Sequence, residues 1–367
     1  MHSASERKQR TTSARVTQKD VARRAGVAIS SVSYVLNNGP RPVSEETRER
    51  VLQAIAELGY RPNEHAQQLM RQSWGVERPP RQFGIVLAGS RSLIARPFYS
   101  ALIVGMLDEA VKLNYSLRFI HLYDELQDPV RFNELIHRES IAGVVLMHIL
   151  EPVQRDRELL ERVVERVRTV ICLDFSWPGL PSITFDKLGA GRLAVEHLLA
   201  FGHRRIAYLG DPDARFDGFL QGLRQHGIAF EARYAPGGVT EARPGQALNT
   251  PEDGWRGLGE LLDLPVPPTA VFAASDEVAI GALRAARERE VQVPHQLSIV
   301  GLDDIDLASY VSPPLTTVRV PKAEMAALAV RTLVEQVERP AEFGVSMVLP
   351  SVLIQRGSTG RAPVATS

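Results

Sequence analysis

A chain of 367 residues, 44% of them hydrophobic, is too long for one small domain and rich enough in apolar side chains for a large core, so two or three domains are expected. Its single cysteine, Cys172, excludes an internal disulfide, and no apolar run reaches the length of a membrane span or a signal-peptide core, so a cytoplasmic chain without membrane attachment is expected. The net charge of zero hides an asymmetry: residues 1–80 hold 13 Lys or Arg against 8 Asp or Glu, a surplus of +5, and the remainder holds 30 against 35.

The surplus begins with Arg7, Lys8, Arg10 and Arg15, an arm suited to phosphates. Residues 16–37, VTQKDVARRAGVAISSVSYVLN, then read as two short helices joined by a tight turn. Ala22 allows close helix crossing, Gly26 supplies the positive φ of a three-residue turn, and Val32 fills the angle between the helices. The second helix is left with Ala28, Ile29, Ser30, Ser31 and Tyr34 facing outward, short or hydrogen-bonding side chains of the kind that enter a major groove. An ordinary helical hairpin with a glycine turn is the competing reading. Ser44, followed by Glu45 and Glu46, marks the start of a third helix whose buried stripe is expected at Val51, Leu52, Ile55 and Leu58, with Gly59 ending it. The next residues, through EHAQQLM, are too few to hold a helix unaided, and a plain linker is the simpler reading of them. Residues 71–82 form a further linker.

Beyond it, apolar runs alternate with helical patterns from residue 83 to residue 302, which implies βαβ units and parallel sheets in two α/β halves with a cleft between them. Ligands in open α/β sheets bind beyond the carboxyl ends of strands, which directs attention to Asp174, Arg215, Ser275, Asp276, Asp303 and Asp304. Each is also placed to cap a helix or make a structural hydrogen bond, and for Asp276 and Asp304 that structural reading is preferred. His197 and His203 do not share a helical face and have no third partner at metal spacing, so no metal is expected. No nucleophile elbow, Walker loop, dinucleotide fingerprint or zinc-protease motif occurs, so neither catalytic residues nor a cofactor is expected.

The stretches DVARRAGVAISSVSYVLN and VSEETRERVLQAIAELGYRPNEHAQQL resemble the amino-terminal region of the lac repressor/purine repressor (LacI/GalR) family of bacterial transcription regulators, and matches continue to Arg356. The resemblance implies an all-α helix-turn-helix head over residues 15–61, a hinge helix and linker over 62–81, and a two-lobed core like that of periplasmic binding proteins. The lobes would comprise residues 82–181 with 319–345, and 182–318 with 346–360. It implies DNA contacts at Thr17, Ala28, Ile29, Ser30, Ser31, Ser33, Tyr34 and Asn37, with Asn63, Ala66 and the wedging Leu69 in the minor groove. It further implies an effector, a sugar, bound by Phe98, Tyr99, Asp174, Phe185, Arg215, Ser275 and Asp303. Ser275 stands where asparagine is common, Leu302 where an aromatic is usual, and Tyr34 where many relatives carry arginine. The expected partners are a pseudo-palindromic double-stranded operator, that small molecule, and a second copy of the chain, because one recognition helix reads too few base pairs. The tail, residues 360–367, has no leucine heptad to make a tetramer. The rivals are a solute-binding protein, a regulator answering to a nucleobase or nucleoside, and a sugar-converting enzyme with a DNA-binding head.

Overall fold

The computed structural model describes residues 16–37, 43–60, 80–147, 154–236, 249–340 and 344–363, and the chain divides into two compact units, Met1–Arg78 and Pro79–Ser367. In the first, helix α1 (Gln18–Ala25) begins at Thr17, whose Oγ1 accepts the Asp20 N–H while the Asp20 carboxylate accepts the Thr17 N–H, a reciprocal cap. Gly26 ends the helix at φ 66°, a left-handed conformation that a side chain resists, and α2 (Ile29–Asn37) follows at once. Helix α3 (Glu45–Leu58) starts at the Ser44 cap and ends at Gly59, φ 60°. Val21, Ala22, Val32, Val35, Val51, Ala54 and Tyr60 close the core between the three helices. Leu52 is a correction to the expected stripe: it is 50% exposed, because at about 100° per residue it turns away from the line of Val51, Ala54 and Leu58.

The second unit contains two sheets. The first takes β1 (Gln82–Leu87), β2 (Ser116–Leu122), β3 (Gly143–Met147), β4 (Val170–Leu173), β5 (Ser182–Phe185) and β10 (Ser346–Leu349) in the order β10-β5-β4-β3-β1-β2, with every pairing parallel. The second takes β6 (Ile206–Leu209), β7 (Ala270–Ala273), β8 (Ser298–Asp303), β9 (Thr316–Arg319) and β11 (Val352–Ile354) in the order β11-β9-β8-β7-β6, antiparallel only at β11. The central strands of both sheets are buried on both faces, which is why they read as unbroken apolar runs.

Helices follow the strands: α4 (Ser92–Ala95), α5 (Pro97–Lys112), α6 (Pro129–Leu135), α7 (Gln154–Arg166), α8 (Lys187–Ala200), α9 (Ala214–Gln225), α10 (Pro251–Leu262), α11 (Asp276–Glu288) and α12 (Lys322–Glu338). Helix α12 packs on α5 and on the first sheet, whereas α8 packs on α9 and on the second. The lobe boundaries expected at residues 182 and 346 need correction. Ser182 pairs with both Cys172 and Ser346, so β5 and β10 belong to the first lobe, and the chain crosses after Phe185, after Arg319 and after Leu349. The alternation of apolar runs marks strands but does not say which sheet a strand joins.

Candidate nucleic-acid face and cleft

On α2 the buried side is Val32 and Val35, which leaves Ala28, Ile29 and Ser30 exposed and Ser31, Ser33 and Tyr34 half-buried at the rim of the same surface. Ser30 and Tyr34 are four residues apart and so share one face, as do Ile29 and Ser33. Asn37 closes the helix backbone. Thr17 is exposed, and its hydroxyl also donates to the Asp20 carboxylate at 2.6 Å, so the residue has a definite task in holding α1. Of the basic residues on α1, Arg23 stands 3.5 Å from Asp20 and Arg24 pairs with Glu57, both at the surface where such pairs are weak and exchangeable. Asn63, Ala66 and Leu69 lie outside the described residues.

The cleft candidates come together from both lobes. Burial and the nearby Asp174 carboxylate push the Tyr99 hydroxyl's ionisation upward, and Arg96, Arg215 and Asp303 also act on it. Asp174 follows β4 of the first lobe, and Asp303 ends β8 of the second; burial, with the Asp276 and Asp174 charges adding to it, holds the Asp303 carboxyl well above the usual range. Arg215 lies in the first turn of α9, whose N-cap is Asp213. Its Nε donates to both Asp213 oxygens at 2.9 Å, its Nη1 donates to the Ala274 carbonyl at 2.6 Å, and its Nη2 stands 2.8 Å from Asp213 Oδ2. Burial works against this guanidinium's charge, but Asp213, Tyr208 and Asp303 outweigh it, so it stays protonated. The ring of Phe98 meets that of Tyr99 edge-on at 5.2 Å, and Phe185 has the Lys187 ammonium 5.6 Å from its centroid; all three aromatics are buried.

Ser275 is buried and caps α11, its Oγ accepting the Val278 N–H at 3.3 Å. The carboxylate of Asp276 accepts the Ile305 N–H at 2.8 Å and the Thr317 hydroxyl at 2.5 Å, and Asp304 is held between Arg319 and Arg356 at 2.6 Å each, so both bind the second lobe's own strands and loops. His197 meets Thr359 at 2.9 Å, and His203 meets Thr269 and Ser298 at 3.0 Å. These bonds fasten residues 359–360 to the second lobe, and burial lowers the pKa of both histidines. Among the described residues no cluster of three His, Cys, Asp or Glu side chains is arranged to hold a metal, and no helix is long and apolar enough to cross a membrane. Burial pushes the Cys172 thiol up to about 12, the behaviour of a small core side chain.

Residues 17–63 match the family described as bacterial regulatory proteins, lacI family, and residues 195–359 match the periplasmic binding protein-like domain. The chain is 33% identical over 354 residues to the HTH-type transcriptional repressor CytR of Escherichia coli (strain K12), covering 95% of this chain and 97% of that protein. The chain belongs to the LacI family. It is 32% identical to the ribose operon repressor of the same organism over 350 residues, 93% of this chain and 99% of that protein. Among solved structures, the lac repressor dimer bound to operator and the anti-inducer ONPF superposes with a TM-score of 0.73 at 28% identity, covering 94% of this chain and 99% of that one. A transcriptional regulator CelR–cellobiose complex gives 0.67 at 27%, covering 94% and 100%. A LacI-family chain with this head and this two-lobed core is a DNA-binding transcriptional regulator.

Several residues at this LacI-family cleft escape a reading of strand ends alone. Asp213 is the guanidinium's main partner, two positions before it. Arg96, ahead of α5, reaches the second lobe at Glu277 (2.8 Å) and at the Asn249 carbonyl. Lys187 and Lys322 approach Asp174 and Asp303 respectively. The Asp213 signal was present as an N-cap residue beside an arginine, but the others depend on which strands become neighbours.

Proposed function

We propose that this LacI-family chain is a cytoplasmic repressor that binds a pseudo-palindromic operator as a homodimer, and whose operator affinity is set by a sugar held between the lobes. The observation that carries the reading is the convergence of Tyr99 and Asp174 from one lobe with Arg215 and Asp303 from the other. Carboxylates and a guanidinium suit a hydroxyl-rich ligand, because charge-assisted hydrogen bonds are the strong ones and a carboxylate accepts two hydroxyls at once. Arg215 is already oriented: its Nε–H and one Nη1 N–H are hydrogen-bonded to Asp213 and Ala274, its Nη2 lies 2.8 Å from Asp213, and the ligand takes remaining N–H groups of the guanidinium. Phe98, Tyr99 and Phe185 form the apolar walls, and Ser275 shapes the site through the start of α11. A ribose operon repressor among the relatives, a transcriptional regulator CelR–cellobiose complex and a LacI family regulator with bound ribose support a sugar.

Ala28, Ile29, Ser30, Ser31, Ser33, Tyr34 and Asn37 read the major groove, Thr17 supports that contact, and the segment bearing Asn63, Ala66 and Leu69 pairs with its mate in the minor groove. The effector acts by population shift: it binds one relative placement of the lobes better, and that placement changes the alignment of the paired hinges. The chain works by binding and carries out no reaction. Selection of bound sites from random DNA, combined with a thermal-shift screen of sugars and nucleosides, tests the proposal. A symmetric site lost steeply with salt and a melting shift with a sugar are expected. A shift with nucleosides alone replaces the sugar, and no DNA binding at any salt overturns the proposal.

A further inference from the structure

The junction between the lobes contains one arrangement twice. In the first lobe β4 ends at Leu173, Asp174 adopts φ 69°, β5 follows, and the chain then crosses into α8, whose first residue is Lys187. The Lys187 ammonium donates to the Asp174 carbonyl at 2.9 Å and stands 3.2 Å from its Oδ1. In the second lobe β8 ends at Asp303, φ 115°, with Asp304 at φ 54°; β9 follows, and the chain crosses into α12, whose first residue is Lys322. The Lys322 ammonium donates to the Asp303 carbonyl and, at 3.4 Å, to that of Asp304. Helix α8 packs on the second lobe and α12 on the first. Each lysine therefore reaches back, from the lobe its helix joins, to an aspartate of the lobe the chain has just left.

Those aspartates are cleft residues, and they hold a backbone conformation that side chains other than glycine seldom adopt and that Asp tolerates better than most. An ammonium is a compact charge with three donors, and here it is fixed on the carbonyl of a residue that holds that unusual φ. We propose that Lys187 and Lys322 are paired positioning residues which orient the two cleft aspartates and fix the separation of the lobes in the ligand-free chain. Two ties lying beside two of the three crossings constrain rotation about the junction more than either does alone. Only the aspartates' role toward an effector rests on the proposed function; the lobe separation is a property of the chain itself.

The test is a spin-label distance measurement on the full chain without ligand. Labels go at Val130→Cys in the first lobe and Val266→Cys in the second, positions 66% and 41% exposed, while Cys172 is buried and stays in place. Labelled chain is diluted into unlabelled chain so that distances within one protomer dominate. Lys187→Met and Lys322→Met should each shift the distribution to longer distances and broaden it, the double variant should do so most, and the two Lys→Arg variants should restore the narrow population. Melting temperatures are measured alongside. Where a Met variant does not fold, the Gln variant, which keeps donors without the charge, replaces it and should broaden the distribution likewise. Distributions that superimpose on the parent's overturn the inference while leaving the effector reading intact, whereas failure of every sugar to bind overturns that reading and not this one.

Discussion

In the head, Ala28, Ile29 and Ser30 stand at the solvent-facing start of α2, with Ile29 49% exposed, whereas in the cleft Arg215, Asp174 and Asp303 are each already bonded to another part of the chain. On the proposed reading the first surface meets DNA through exposed side chains, with no internal tie to break at Ile29 or Ser30 among the described residues. On the same reading the second receives a ligand beside Asp174 and Asp303, whose carbonyls are tied to Lys187 and Lys322 across the lobes, so binding there acts on their arrangement. One surface is therefore suited to recognition and the other to regulation, and variants in the two regions should fail differently.

The largest difference is expected at Arg215. Arg215→Ala removes the guanidinium and leaves the Asp213 carboxylate and the Ala274 carbonyl without it, so effector affinity should fall by about 2–5 kcal/mol, the range for truncating one partner of a buried charged pair. Asp303→Ala should fall in the same range. Operator binding without effector should barely change. Titration of effector against operator-bound protein, with a melting curve as control, checks this; full response from a folded Arg215→Ala chain removes the residue from the site.

The second lobe should also carry a pH dependence near neutrality, seated beside the cleft at Asp276. Burial pushes the Asp276 carboxyl up to about 7, against the bonds from Thr317 and Ile305 that favour its anion. An acid whose folded pKa lies above its unfolded value of 3.8 binds more protons when folded, so its contribution is complete below that value and is lost as pH rises through about 7. At about 1.4 kcal/mol per pKa unit the loss is at most on the order of 4 kcal/mol, and Asp303, raised in the same direction, adds to it with the same sign. His197 and His203, lowered by burial, act with the opposite sign below 6.5, so the Asp276 contribution is read as a difference between melting curves: from about pH 5 to about pH 8, Asp276→Asn should gain stability relative to the parent as pH rises. Parallel curves for the two proteins would show that Asp276 does not carry this dependence.

Legibility in the sequence follows the same division. Gly26 takes its positive φ, Ser44 caps α3 and Gly59 ends it, because each is decided by neighbours a few residues away. Leu52 went astray only because the helical stripe passes beside it. In the cleft, Asp174, Arg215 and Asp303 are legible as residues beyond strand ends, but apart from Asp213, two residues before Arg215, the partners lie farther along the chain: 13 residues for Lys187, 19 for Lys322, 59 for Ala274, and 181 between Arg96 and Glu277. Such pairs exist only once the sheets have ordered themselves, and the sheet membership of β5 and β10 was hidden for the same reason.

A smaller effect sharpens the recognition side. Tyr34 is half-buried on the α2 face, and a base contact is worth about 1–3 kcal/mol of discrimination, so Tyr34→Arg should change the preferred base at one operator position, towards guanine. Effector affinity should stay the same. An unchanged site in a selection from random DNA would exclude Tyr34 as a reader.

The smallest expected effect concerns Thr17, where structural and recognition roles meet in one side chain. Its hydroxyl caps α1 through Asp20, and replacing such a cap by alanine costs about 1 kcal/mol. Thr17→Ala should therefore lower the stability of the head, and it should weaken operator binding simply because less of the head is folded. Thr17→Asn separates the two roles. Asparagine caps a helix as well as threonine does, its side-chain oxygen accepting the Asp20 N–H, but it lacks the hydroxyl and methyl that would meet DNA. If Thr17 touches the operator, Thr17→Asn should melt like the parent and bind DNA more weakly. Parental melting together with parental affinity would leave Thr17 as a cap alone, and the recognition surface would then begin at Ala28.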